Sequence, residues 1–282
     1  MKYYLIIPTY SEEKFISMTL QSLVEQTILP SKVVVVNDNS TDNTAAIVEE
    51  FAKKYPWISL VNKVSNAIHL PGSKVIQAFH EGEKHIDENY DILVKIDADL
   101  IFPSNYFETI IKHFQSDDRI GMVGGFCYIE KNGDWILENL TDKDHIRGAL
   151  KAYRKATFKG IGGLKPAMGW DTVDELLCKF YNWKIVTDES LQVKHLKPTG
   201  ARYDKTARYK QGEAFYTLGY GFLITAIASA KLAMMKKKPL LFIDYLKGFW
   251  KAKIAKKPLL VTTEQAKFIR KYRLQKMKEK LF

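Results

Sequence analysis

The stretch Ile92-Leu93-Val94-Lys95-Ile96-Asp97-Ala98-Asp99 decides the fold. An apolar, β-branched run predicts a strand covered on both faces. It ends in two carboxylates spaced two apart. In open α/β sheets, ligands bind beyond the carboxyl ends of the strands. Carboxylates at such an end can hold a hard divalent cation and, through it, phosphate oxygens. Asp-x-Asp alone is frequent by chance, and a strand end followed by an aspartate N-cap would look the same. The apolar strand before it and Leu100-Ile101-Phe102-Pro103 after it give the pair its weight.

Outward from this strand, the first two-thirds of the chain alternates strand and helix signals. Tyr3–Pro8, Val33–Val36 and Ile58–Val61 read as strands. Ile16, Leu20, Leu23 and Val24 mark one face of a helix, and Thr9 with Glu12 is placed to form its capping box. Ala45, Ile47, Val48 and Phe51 mark a second helix, and Gly72 to His85 a third. This order predicts an α/β fold with a mainly parallel central sheet flanked by helices and right-handed crossovers.

Two other segments end on the same predicted edge. Val33–Val36 runs into Asn37-Asp38-Asn39-Ser40-Thr41-Asp42, where an acid can accept hydrogen bonds from a base or a ribose hydroxyl. The opening, Ile6-Ile7-Pro8-Thr9-Tyr10-Ser11-Glu12, frames the crevice with free backbone groups at a helix start. Together with Asp97-Ala98-Asp99, these segments resemble glycosyltransferase family 2, the GT-A fold of inverting nucleotide-sugar transferases. The family pattern is a strand ending in Pro-x-Tyr/Phe-Asn, an Asp-x-Ser-x-Asp turn and an Asp-x-Asp. Ser11 replaces a frequent Asn, and Asn37 stands where an aspartate is common; neither change touches a metal ligand.

The resemblance covers roughly residues 1–200. It implies a nucleotide-binding half over about 1–103 and an acceptor half over about 104–200. Pro8, Tyr10 and Glu12 would frame the nucleotide, Asp38 would bind its base or ribose, and Asp97 the ribose and the metal's water shell. Asp99 would coordinate Mn²⁺ or Mg²⁺ bridging the donor diphosphate. Lys74, in Pro71-Gly72-Ser73-Lys74, is either a phosphate or base contact or a solvated helix residue. Gly162 and Gly163 match a glycine pair that family members place beside the donor sugar. In Gly169-Trp170-Asp171-Thr172-Val173-Asp174-Glu175, the three acids share one helical face. An inverting transferase needs one carboxylate to take the acceptor's proton. Asp171 is the first choice, Asp174 and Glu175 the alternatives, and helix-start acids favoured by the dipole are the plain reading of the others. Trp170 either stacks on a sugar or fills the core. The family also suggests His195 as a metal ligand. Arg202 is a candidate for closing over the diphosphate.

The 282 residues are 46% hydrophobic and 27% charged, a globular composition. Two cysteines imply no disulfide framework and suit a reducing compartment. Met1–Pro8 does not read as a secretory leader. The net charge of +11 is uneven. Residues 231–282 hold 16 basic residues against 3 acids, a net +13, while the rest holds 27 against 29. A nucleic-acid enzyme would place basic residues around its chemical centre too, so no nucleic acid is expected. The region 201–282 reads as helical and basic. Within it, the uncharged Ala214–Ala230 is marginal for a membrane span and equally suits a packed hairpin. The whole predicts a cytoplasmic enzyme, peripheral on the inner face of the cell membrane. Its partners would be a nucleotide-diphosphate sugar, a saccharide or lipid-linked saccharide acceptor, and an anionic membrane surface. The inferred reaction is metal-assisted sugar transfer to a hydroxyl in surface polysaccharide or lipopolysaccharide synthesis. The alternatives are a polyprenyl-phosphate sugar synthase and a non-catalytic nucleotide- or membrane-binding module.

Overall fold

The computed structural model describes residues 1–64, 72–138, 143–197 and 209–279. Strands β1 (Tyr3–Thr9), β2 (Lys32–Asp38), β3 (Ile58–Lys63) and β4 (Ile92–Ile96) pair in parallel in the spatial order β3-β2-β1-β4. Every residue of β1 and β4 is buried, which is why these strands read as continuous rather than alternating apolar runs. Helices α1 (Ile16–Val24), α2 (Thr44–Lys54) and α3 (Ser73–Glu83) carry the crossovers. β2 and β3 lie on one side of β1, and β4 lies on the other. The direction of winding therefore reverses between β1 and β4, and a crevice opens beyond their carboxyl ends.

The second half of the sheet is mixed. It comprises β5 (Leu100–Ile101), β6 (Ile120–Lys131), β7 (Asp134–Leu137), β8 (Leu150–Arg154) and β9 (Lys184–His195). β8 lies antiparallel between β4 and β6, β9 runs parallel to β6, and β5 closes antiparallel on β9. Helices α4 (Tyr106–Ser116), α5 (Lys155–Gly160) and α6 (Trp170–Phe180) complete this half. Asn132 and Gly133, at φ of 55° and 89°, form the two-residue turn between β6 and β7, as a tight hairpin requires.

The expected capping box does not form. Thr9 is the last residue of β1, and its hydroxyl donates to the Ile7 carbonyl at 3.1 Å. Ser11 turns the chain at φ 53°, and α1 starts only at Ile16, behind Phe15, with no side-chain cap. The Glu12 carbonyl, not its carboxylate, takes the Phe15 and Ile16 amides, at 3.0 and 2.9 Å.

The chain divides into two compact units, residues 1–166 with 170–199 and residues 167–169 with 200–282. The second contains α7 (Lys210–Thr217), α8 (Gly221–Met235), α9 (Leu240–Ile254) and α10 (Thr263–Glu279). The uncharged run 214–230 is not one helix. Gly219 and Gly221, at φ of 75° and 72°, break it between α7 and α8. Among the described residues, no helix is long and apolar enough to cross a membrane. Two glycines let helix backbones meet. A Cβ on Gly212 of α7 would collide with the Tyr245 carbonyl oxygen, and one on Gly248 of α9 with that of Tyr209.

Gly212→Ala tests this contact. Alanine gains about 1 kcal/mol in helix propensity, whereas overpacking costs about 1–3 kcal/mol or more. Because the obstacle is a backbone carbonyl, packing should win. We expect a net loss of about 1–2 kcal/mol, read as faster amide exchange in α7 and α9 with β1–β4 unchanged.

Candidate active site

The carboxyl ends of β1, β2 and β4 bring the three sequence segments together. Pro8 and Thr9 pair with Val36 and Asn37, and Asp97 follows β4 directly. The loop after β1 is tied to the loop after β2. The Ser11 amide donates to Ser40 Oγ at 2.9 Å, the Glu12 amide to Thr44 Oγ1 at 2.8 Å, and the Glu13 amide to Asp42 Oδ2 at 3.3 Å. Asp38 is buried and takes Lys63 Nζ at 3.3 Å. Asn37 donates to Asn62 at 2.8 Å. Tyr10 projects outward, 55% exposed.

The Asp-x-Asp turn is anchored from below. Thr19 Oγ1 of α1 donates to the Ala98 carbonyl at 2.8 Å and accepts the Leu100 amide at 3.0 Å. The Asp97 amide donates to Ala149 of the chain entering β8, at 2.9 Å. The two aspartates then differ. Asp97 is ion-paired with Lys95, yet its side chain remains 36% exposed. Asp99 is buried, and its Oδ2 lies 3.5 Å from His195 Nε2. Pairing of β5 with β9 sets Leu100 opposite His195 and so delivers the histidine to the turn.

Sequence reasoning missed the next layer. His195 Nδ1 lies 2.8 Å from Glu138 Oε2, and Glu138 is also ion-paired with Arg147. With Nδ1 donating to Glu138, the imidazole turns its Nε2 lone pair toward Asp99. Metal-bound histidines are held this way by a carboxylate on the outer nitrogen. Donor atoms of Cys127, Glu138 and His195 lie within 4.8 Å of one another. Burial pushes the Cys127 thiol up to about 11, despite the nearby Arg147. A protonated thiol and a carboxylate already shared by arginine and histidine suit a supporting layer better than a ligand set. Glu12 completes the cluster. Burial raises its pKa, Lys197 opposes the rise, and Asp99 and Asp97 add to it. Its Oε2 is buried without a hydrogen-bond partner among the described residues. A cavity of about 360 Å³, lined by Glu130, Asn132, Trp135, His195 and Leu196, opens beside the histidine.

Burial separates the three acids of α6. Asp174 is fully buried and takes Lys151 Nζ on both oxygens at 2.9 Å and the Tyr153 hydroxyl at 2.5 Å. Burial pushes its pKa up, against Lys151. Glu175 accepts the Ile146 amide at 2.8 Å and lies 3.1 Å from His145. Burial raises its pKa too, but Lys151 and His145 outweigh this and bring it to about 2. Asp171 is the accessible one, its side chain 35% exposed and 3.9 Å from His145. Its backbone carbonyl accepts Lys151 Nζ at 2.6 Å. Trp170 is buried, with Lys95 and Lys151 Nζ at 5.3 and 5.7 Å from its ring. The missed signal was a lysine inside each apolar strand: a charge at a buried position needs a partner.

Gly162 and Gly163, at φ of 73° and 67°, end α5, their amides returning to Lys159 and Phe158 at 3.0 Å. Lys74 is half-buried in the first turn of α3, behind Gly72 at φ 73°. Pro71 and Arg202 lie outside the described residues.

A family model described as "Glycosyl transferase family 2" matches residues 4–163. The chain belongs to glycosyl transferase family 2. It is 32% identical over 203 residues to a probable glycosyltransferase, YdaM, of Bacillus subtilis, covering 63% of this chain and 46% of YdaM. It is 31% identical over 165 residues to dolichyl-phosphate beta-glucosyltransferase ALG5C of Trichomonas vaginalis, covering 56% and 43%. The chain thus spans about half the length of the curated relatives it matches. The fold also matches the mannosyltransferase PcManGT from Pyrobaculum calidifontis, solved with GDP-Man and Mn²⁺. The TM-score is 0.58 at 16% identity, over 98% of this chain and 80% of that one. The first unit is accordingly a GT-A fold.

Lys151 is the keystone of the α6 acids. Lys151→Met leaves two buried carboxylates without their cation and should cost about 3–5 kcal/mol in urea unfolding. Adding Asp174→Leu should recover part of it, because a buried ion pair can be replaced by apolar packing while Glu175 keeps His145.

Proposed function

We propose that the chain is an inverting glycosyltransferase that moves a hexosyl group from a nucleotide-diphosphate sugar to an acceptor hydroxyl, of the kind built into cell-surface polysaccharide or lipopolysaccharide. The observation that carries this reading is the pairing of Asp99 Oδ2 with His195 Nε2 at 3.5 Å, the histidine held from behind by Glu138.

Asp99 and His195 would hold Mn²⁺ or Mg²⁺. The donor set fits: a carboxylate oxygen and an imidazole nitrogen suit such ions, and the unpartnered Glu12 Oε2 adds negative potential nearby. A divalent cation bound there supplies charge stabilisation to the departing diphosphate. Mn²⁺ and a nucleotide-sugar occupy PcManGT together, which supports the same pairing for this chain.

The chain's own residues do the rest. Asp38, at the end of β2, and Asp97, still open to solvent, would hold the nucleoside. Pro8 and the backbone through Glu12 would frame it. Asp171 would accept the proton of the acceptor hydroxyl as its oxygen forms the bond to the anomeric carbon and the bond to the diphosphate breaks. Asp174 and Glu175 are committed to Lys151, Tyr153 and His145, which favours Asp171 over both.

A lipid-phosphate acceptor is the second reading, supported by the 31% identity to a dolichyl-phosphate transferase. Phosphate is already ionised and needs little base assistance, so the readings diverge at Asp171. In calorimetric titrations with UDP, GDP, CDP and dTDP, one nucleotide should bind in the presence of Mn²⁺, and Asp99→Ala should abolish that binding. Absence of binding by all four would refute the donor assignment.

Turnover should then be measured with the matching nucleotide sugar. Asp171→Asn should lower kcat by about 10²–10⁴-fold toward alkyl glycoside acceptors with nucleotide affinity unchanged. Turnover only with undecaprenyl phosphate, and little affected by Asp171→Asn, would establish the second reading. Nucleotide binding without turnover of either acceptor class would leave a binding module.

A further inference from the structure

Ten of the eighteen exposed large apolar side chains among the described residues lie between Phe222 and Leu259. Apolar side chains scattered singly over a surface need no explanation, but a contiguous patch does. Here they form stripes. On α8, Leu223, Ile227 and Met234 recur at helical spacing on the exposed side, while Ile224, Thr225, Ser229 and Ala233 are buried. On α9, Leu240, Ile243, Trp250 and Ile254 do the same, opposite the buried Tyr245, Phe249 and Ala252. The stripes join, because Phe222 of α8 and Trp250 of α9 are both exposed and their rings lie 5.7 Å apart.

The charge around the stripes is mostly positive; of the lysines there, Lys257 is ion-paired with Glu213 of α7. Lys236, Lys237 and Lys238 fill the turn between α8 and α9, and all three are exposed. Lys231 and Lys247 lie within the helices, and Lys251, Lys253, Lys256 and Lys257 crowd the end of α9. The only acid in 221–257, Asp244, is buried. An apolar face rimmed by such an excess of cations repels a second copy of itself. It complements a surface that is apolar beneath and anionic above, as a bilayer leaflet rich in acidic lipid is.

We propose that the α8–α9 hairpin docks in the plane of an anionic membrane leaflet. Leu223, Ile227, Ile243, Trp250 and Ile254 enter the acyl boundary while the lysines stay at the headgroups, their long stems along the apolar surface. The helices lie in the interface and do not span, consistent with the absence of a spanning helix among the described residues. The proposal concerns the second unit alone and does not depend on the reaction assigned to the first.

The test is flotation of the full chain with phosphatidylcholine vesicles containing or lacking phosphatidylglycerol. Binding should appear only with phosphatidylglycerol and weaken as salt rises. Each lysine near an anionic surface strengthens binding about fivefold, so Lys237→Glu with Lys238→Glu should weaken it by more than tenfold. Ile227→Glu with Ile254→Glu should also abolish it; both side chains are exposed, so the fold should survive. Lipids brominated near the headgroup end of the acyl chain should quench tryptophan fluorescence in the wild type, and Trp250→Phe should remove that quenching while flotation persists. Four outcomes would overturn the proposal. These are no flotation with phosphatidylglycerol, flotation indifferent to the Ile227 and Ile254 changes, quenching that survives Trp250→Phe, or the same changes dissolving a dimer seen by analytical ultracentrifugation. None would alter the nucleotide titrations, so this proposal and the proposed reaction fail separately.

Discussion

Two buried ammonium groups side by side in the sheet constrain everything else in the first unit. Lys95 of β4 and Lys151 of β8 are register partners on adjacent strands and are both buried. Like charges directly opposite destabilise a strand pair, and a buried charge without a partner costs several kcal/mol. The fold meets both penalties with carboxylates brought from different directions. Asp97 neutralises Lys95 from the turn after the same strand. Asp174 and Glu175 neutralise Lys151 from α6. The Trp170 ring lies near both lysines. Gly148 lies against that ring, where a Cβ would strike its edge, and its carbonyl takes Lys95 Nζ at 2.8 Å. The turn that carries Asp97 and Asp99 and the helix that carries Asp171 are thus positioned by one charge cluster.

That cluster also sorts the carboxylates by environment. An acid buried beside a buried lysine has its lone pairs occupied and its solvent removed. Asp174 and Glu175 are in this state, and Asp171 lies outside it, lending Lys151 only its backbone carbonyl. The same division separates Glu138 from Asp99. Glu138 is shared between Arg147 and His195, while Asp99 faces an imidazole nitrogen directed at it by Glu138. In each pair, the residue given a role in the proposed reaction is the one whose charge the protein has not already cancelled.

How much of this the sequence discloses follows from the range of the interactions. The parallel half was legible because β1, β2 and β4 are buried on both faces and announce it as apolar runs, and the acids at their ends mark the crevice. Asp38, Asp97, Asp99 and His195 follow from that pattern and the family resemblance. The antiparallel entry of β8 between β4 and β6 was not legible, since nothing local dictates which strand Leu150–Arg154 will join. Glu138, Arg147 and Lys151 acquire their roles only through that entry. Helical spacing put Asp171, Asp174 and Glu175 on one face, but spacing carries no depth, and depth distinguishes them. The Thr9–Glu12 capping signal failed for a local reason. The positive φ at Ser11 and the ion pair of Glu12 with Lys197 commit those residues to the turn that shapes the crevice. Gly219 and Gly221 broke the uncharged 214–230 run, because composition registers charge and not backbone conformation.

The ion pairs around the crevice bear on how a diphosphate could be accommodated. Among the described residues, the cations nearest the Asp-x-Asp turn are already committed: Lys95 to Asp97, Arg147 to Glu138, and Lys197 to Glu12. Four carboxylates, Glu12, Asp97, Asp99 and Glu138, therefore meet three fixed cations, leaving the cluster net negative before any ligand arrives. A diphosphate brought to such a place is repelled unless positive charge arrives with it. Rearranging the pairs would strand a buried carboxylate for each lysine or arginine released, at a cost comparable to the gain. A divalent ion held by Asp99 and His195, as proposed, would avoid that exchange, since it would add charge without unpairing a side chain. Metal dependence in the proposed reaction is therefore what the described part of this cluster leads one to expect: its three cations are committed to Asp97, Glu138 and Glu12, and a divalent ion would bring positive charge without unpairing any of them.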